Sequence, residues 1–287
     1  MTTNKRLCLA TAIAGLFVML SPTAFGDLFG IEYDTGHLHR ISVTDGSMTY
    51  IGDTGLGGNY GPASLEYNVF DSGQLYAFTT GSYNDPYGVP DAKLYSIDPS
   101  TAATTEIGPL GLPTFVSEGG LAFSPAGVAY GVNTGSWAGG AELFTINLGT
   151  GAATSVGNMG PGVDVNGLAW RSDGMLVGIE RPTNSLVQID PSTAVMTVIA
   201  TLEPAVGASG GMAAIGDTGY FACGNDYSTI PGANALFTID LYTGAHELVG
   251  SFDPWVTGIG IGGLALPEPG SLALLVLAGL AAARRRR

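Results

Sequence analysis

A five-fold internal repeat limits this chain more than any other feature of its sequence. One segment recurs as Leu38-His39-Arg40-Ile41, Leu94-Tyr95-Ser96-Ile97, Leu143-Phe144-Thr145-Ile146, Leu186-Val187-Gln188-Ile189 and Leu236-Phe237-Thr238-Ile239, its leucines 56, 49, 43 and 50 residues apart. In the last four copies the next residue is Asp98, Asn147, Asp190 or Asp240, and Thr101, Thr150, Thr193 or Thr243 follows three positions later. A second segment interleaves with the first as Gly120-Leu121-Ala122-Phe123, Gly167-Leu168-Ala169-Trp170, Gly211-Met212-Ala213-Ala214 and Gly263-Leu264-Ala265-Leu266, with Ala63-Ser64-Leu65-Glu66 a weaker copy. After the three internal copies a turn containing Gly127, Gly174 or Gly219 leads to another short strand. Each repeat therefore holds four short strands joined by Gly-, Pro- and Asp-rich turns.

Four strands in ~40–50 residues is the period of a β-propeller blade. The start of the domain supplies only three strands, near Leu28–Tyr33, His37–Val43 and Met48–Ile51, and its end supplies a lone first strand at Gly263–Leu266. Joined, they make one blade. The expectation is an all-β propeller over residues 27–266, with five four-stranded blades closed by pairing of the N- and C-terminal strands. The repeats also resemble those of bacterial propeller proteins with a Leu-Tyr-x-Ile-Asp-x-x-Thr-Gly pattern.

All but one of the 24 acidic residues lie between Asp27 and Leu266, against only four bases, Arg40, Lys93, Arg171 and Arg181. Such a surface repels phosphate backbones and excludes nucleic acid as a partner. Of the two cysteines, Cys8 lies in the N-terminal apolar segment, so the domain carries Cys223 alone and no internal disulfide framework. Cys223 reads as a small buried residue of a strand.

Both ends read as addresses. Lys5 and Arg6 precede an apolar run from Leu7 to Leu20, and Ala24-Phe25-Gly26 offers small residues for cleavage between Gly26 and Asp27. Residues 1–26 are therefore expected to be a signal peptide. Residues 267–287 hold Pro267-Glu268-Pro269, an apolar run from Leu272 to Ala283 and the cluster Arg284, Arg285, Arg286 and Arg287. The run makes a short, marginal transmembrane helix, with the arginines as a membrane stop on the cytoplasmic side. These three parts in this order resemble the PEP-CTERM sorting signal. The resemblance implies recognition by an exosortase, a membrane transpeptidase of Gram-negative bacteria that make exopolysaccharide. It further implies transient membrane anchoring, removal of the tail near the Pro-Glu-Pro motif, and delivery to the cell surface or extracellular matrix.

The expected role is non-catalytic binding or structure at that surface, with a propeller lyase or hydrolase acting on extracellular polysaccharide as the alternative. No catalytic residues are assigned. An enzyme is expected to gather polar residues at the ring's axis, where Glu118, Asp164, Asn166 and Arg171 are the candidates. Tyr83, Tyr87, Trp137 and Tyr227, in segments between second and third strands that also carry Asn and Asp, are candidate glycan-binding residues, since sugars take apolar stacking beside hydrogen bonds. The repeated aspartates read as turn caps, with calcium the one cofactor they leave open. His37 and His39 share a strand face at i, i+2, a spacing that can chelate a metal. No third ligand is evident in the sequence, so no metal site is assigned and packing is expected for both.

Overall fold

The computed structural model describes residues 27–70, 73–81, 91–134, 140–206, 210–224, 234–252 and 261–266. These form five four-stranded antiparallel sheets, the blades of a five-bladed β-propeller. Blade 1 is composite: β1 (Leu28–Glu32), β2 (His37–Ile41) and β3 (Met48–Asp53) are completed by β20 (Ile261–Ala265). Blade 2 runs β4 (Glu66–Asn68), β5 (Gln74–Phe78), β6 (Lys93–Ile97), β7 (Thr104–Pro109). Blade 3 runs β8 (Gly119–Phe123), β9 (Ala129–Asn133), β10 (Glu142–Ile146), β11 (Ala153–Asn158). Blade 4 holds β12 (Val165–Trp170), β13 (Leu176–Glu180), β14 (Ser185–Ile189) and β15 (Met196–Thr201). Blade 5 holds β16 (Gly210–Ile215), β17 (Thr218–Cys223), β18 (Ala235–Asp240) and β19 (His246–Ser251). The closure expected from the incomplete first repeat is present: Phe29 pairs with Ala265 and Gly30 with Leu264.

Apolar burial follows the blade order. Second strands such as Leu28–Glu32 and Leu176–Glu180 are buried at every position, whereas the outermost strands expose three of six. The core is divided into five clusters, one between each pair of neighbouring blades. Phe78 and Phe144, for example, meet edge to face at 5.8 Å between blades 2 and 3. No blade can bury its faces alone, so stability belongs to the closed ring.

The glycines of the second repeated segment serve that ring rather than its turns. A Cβ on Gly211 would lie 2.3 Å from the Leu264 nitrogen, and one on Gly263 2.2 Å from the Leu65 nitrogen. Gly120 and Gly167 meet the next inner strand in the same way, so five inner strands converge backbone to backbone. Gly219, read from sequence as a turn residue, lies inside β17, and Gly216 (φ 61°) makes that turn.

The repeated aspartates cap the turns between third and fourth strands as expected. Ser100 N donates to Asp98 Oδ1 at 2.7 Å, Gly149 N to Asn147 at 2.9 Å, Ser192 N to Asp190 at 2.8 Å, and Thr243 N to Asp240 at 2.8 Å. They sit on four separate blades, each engaged with its own turn, and do not converge. In every blade the outer strand pair carries a bulge at one place. Across blades, Gly108 there abuts the turn residue Gly151 of the next blade, and Gly250 abuts the Asp45-Gly46 turn across the closure.

Among the described residues no helix is long and apolar enough to cross a membrane. Residues 1–26, expected to be a signal peptide, Pro267, Glu268, Pro269, the apolar run 272–283 and Arg284 to Arg287 lie outside the described residues.

Candidate binding groove and polar mouth on the loop face

Antiparallel alternation gives the ring two faces. Connections from second to third strands, and from one blade to the next, emerge on a loop face; first-to-second and third-to-fourth connections emerge on a turn face. Tyr83, Tyr87, Trp137 and Tyr227 lie outside the described residues. The strands that bracket their segments, β5 and β6, β9 and β10, β17 and β18, open onto the loop face.

On this face a groove of about 430 Å³ lies between blades 1 and 2, lined by Tyr60, Thr79, Asp91, Lys93 and Tyr95 above Leu56. Tyr60 is exposed, and Tyr95 is half-buried in β6. Lys93 Nζ reaches Glu106 at 3.0 Å. Burial first, and then the nearby Glu106 charge, push the Tyr95 hydroxyl up, so it stays a hydrogen-bond donor at neutral pH. The wall of residues 54–60 is anchored to blade 1: Thr54 Oγ1 donates to the Gly36 carbonyl at 2.6 Å and Gly58 N to the Asp34 carbonyl at 2.7 Å.

Nearer the axis, three charged side chains from two blade entrances and one hairpin meet. Arg181, which follows β13, places Nη2 2.5 Å from Asp164 Oδ2 and Nη1 3.9 Å from Glu118 Oε2. Asp164 is buried and its backbone carbonyl also accepts from Arg181 N at 2.8 Å. Asn166 is buried beside it in β12. Ser117 and Thr134 share a hydroxyl hydrogen bond of 2.7 Å, and Asn133 Nδ2 donates to the Phe115 carbonyl at 2.9 Å.

Of the four axial candidates, Glu118 and Asp164 thus meet at Arg181, Asn166 lies buried two residues further along the same segment, and Arg171 is elsewhere. Arg171 lies at the turn between β12 and β13, on the opposite face. Its guanidinium pairs with Asp173 at 2.7 Å, donates to the Leu241 carbonyl at 3.2 Å and stacks over Tyr242 at 4.1 Å. The cation of the mouth is Arg181, which sequence reasoning passed over. Both arginines follow a strand, and only the direction of that strand through the blade decides which face receives the side chain.

Sequence reasoning also missed Glu32. It ends β1, and the four-residue turn to β2 brings its carboxylate beside both histidines: His39 Nε2 lies 2.7 Å from Oε1 and His37 Nδ1 3.8 Å from Oε2. Thr35 Oγ1 donates to Oε2 at 2.5 Å. Burial raises the Glu32 pKa, but the His39 and Thr35 hydrogen bonds and the two histidine charges outweigh it and hold the carboxyl below its ordinary value. The third residue able to ligate, absent from the local pattern, stands on the neighbouring strand, and Glu-x4-His-x-His across a tight hairpin was its signal.

Cys223 is buried, and burial pushes its thiol up to about 11, so it is an unreactive core residue.

At the turn-face end of the axis, corresponding residues in or next to the five inner strands, Glu66, Phe123, Trp170, Ala214 and Leu266, line a cavity of about 230 Å³. Its single carboxyl, Glu66, is pushed by burial up to about 8 and is predominantly protonated at neutral pH.

No protein-family model matches the chain, and no curated protein matches it. Among solved structures, one of a nidogen/laminin complex is similar at 11% identity, covering 84% of this chain and 98% of that one, with a TM-score of 0.49. Regucalcin, a calcium-binding protein of Agrobacterium tumefaciens strain C58, is similar at 15% identity over 80% of this chain and 79% of its own, TM-score 0.47. Virginiamycin B lyase from Staphylococcus aureus is similar at 16% identity over 79% and 70%, TM-score 0.43.

Proposed function

We propose that this chain is an exported surface or matrix protein whose propeller binds extracellular polysaccharide on its loop face without turning it over. The groove between blades 1 and 2 carries this reading. Tyr60 and Tyr95 offer aromatic surface for the apolar face of a sugar ring, while Asp91, Thr79 and Lys93 offer acceptors and donors for its hydroxyls. The charges of the mouth are spent on one another, Arg181 against Asp164 and Glu118, which suits a neutral or weakly charged ligand. The Pro267-Glu268-Pro269 tail supports delivery by an exosortase-type transpeptidase.

The test is retention on a panel of extracellular polysaccharides, comparing the mature protein with a Tyr60→Ala, Tyr95→Ala double variant. We expect a bound polymer whose affinity falls at least ten-fold in the variant. Equal binding by both proteins would refute the groove, and cleavage of the polymer would move the chemistry to Glu118 and Asp164. Replacing Pro267 and Pro269 by alanine in an exosortase-bearing host is expected to leave the protein in the membrane fraction.

A further inference from the structure

His39 occupies a place that the other blades fill with Tyr95, Phe144, Val187 or Phe237. Placing an imidazole and a carboxylate there is costly unless something is gained, because both are largely removed from water. Glu32 and His39 are buried, and Tyr50 meets the His37 and His39 rings in edge contacts at 5.2 and 5.6 Å.

The fold does not require these residues. Blade 4 builds the same hairpin, Glu180-Arg181-Pro182-Thr183-Asn184 against Glu32-Tyr33-Asp34-Thr35-Gly36. In both, the Thr hydroxyl donates to the Glu Oε2, and the fifth residue has positive φ, 49° at Asn184 and 73° at Gly36. Yet blade 4 continues with Ser185 and Val187 where blade 1 has His37 and His39. The histidines are an addition to a hairpin that forms without them.

We infer that Glu32, His37 and His39 form a binding site for a divalent transition metal of the zinc class. One ligand atom from each lies within 4.8 Å of the other two. Tetrahedral bonds of roughly 2.0–2.1 Å to nitrogen and oxygen place ligand atoms about 3.3 Å apart, and the present 2.7 and 3.8 Å separations straddle that spacing. Side-chain adjustment of the half-exposed His37 closes the set. The buried Nδ1 of His39 has no hydrogen-bond partner, so the ring is oriented from its Nε2 side, by Glu32. Thr35 orients the carboxylate from behind and is itself held by His37 N at 3.2 Å. Two imidazoles with one carboxylate select zinc, cobalt, nickel or copper over calcium and magnesium, which want oxygen. His37 has 38% of its side chain exposed, which leaves the fourth position to water or an incoming donor.

The site is independent of polysaccharide binding and is tested separately. The exported protein, without a histidine tag, is dialysed against chelator and titrated with Zn2+ by calorimetry and with Co2+ by visible absorption. The expected result is one equivalent bound, with the intense visible bands of four-coordinate Co2+. Affinity should fall at least ten-fold in His37→Ala, His39→Phe and Glu32→Gln, and stay unchanged in Glu180→Gln. His39→Phe copies the residue of blades 3 and 5 and so preserves the fold, which circular dichroism checks. Failure to bind either ion, calcium binding without zinc, or retained affinity in the folded His37→Ala and His39→Phe proteins would each overturn the site and leave a histidine–glutamate pair only.

Discussion

The two faces of the ring use one scaffold for opposite ends. The turn face is repetitive: Asp98, Asn147, Asp190 and Asp240 cap nearly identical turns, and its axial mouth is apolar around a single acid, Glu66. The loop face differs from blade to blade. Where second strands end it presents Glu32, Thr79, Asn133, Glu180 and Cys223, all buried. What the difference teaches is a division of constraint. The turn face holds each blade in register with the next, so its residues are set by packing, whereas the loop face is released from that duty and gathers charge.

The comparison can be broken most severely at the inner strands that both faces share. Gly211→Ala forces a Cβ toward backbone at 2.3 Å and is expected to cost about 3 kcal/mol, measured by chemical denaturation. A change within error would show that the inner strands separate freely and that the faces are not rigidly joined.

Acid chemistry sharpens the contrast next. The folded Glu66 carboxyl keeps its proton up to about 8, while the unfolded one releases it near 4.5. The folded state thus binds more protons between those values, and this contribution to stability, full below about 4.5, is lost as pH rises through about 8. Glu66→Gln should flatten that decline in denaturation midpoints collected from pH 4 to 9. An unaltered slope would mean that the turn-face mouth is wetter than its apolar lining suggests. The smallest effect belongs to one cap: Asn147→Ala removes the bond from Gly149 N and is expected to cost about 0.5–1 kcal/mol, read as a shift in denaturant midpoint with loop-face binding unchanged.

The blades, their number and their closure were legible because each is written five times, so that accidents in one copy are corrected by the others. The loop-face sites are written once. Arg181 and Arg171 look alike along the chain, and the register of β12 against β13 separates them by the height of the blade. Glu32 stands five residues before His37, a distance without meaning until the turn at 33–36 is known to be a hairpin. The inner glycines were visible as a repeated Gly-Leu-Ala, but their role was not, since a backbone approach from another blade leaves no mark on neighbouring residues.

Closure by β20 also sets a schedule. Phe29 finds its partner Ala265 only after nearly the whole domain has been made. Through that interval β1 is an open edge, with unmatched amides able to recruit a foreign strand. The last pairing spans the longest loop in the molecule and comes with the slow kinetics of distant contacts. A chain stopped short of Ile261 would keep four finished blades and an adhesive fifth, so completion of the C-terminal strand is what separates a soluble ring from a nucleus for aggregation.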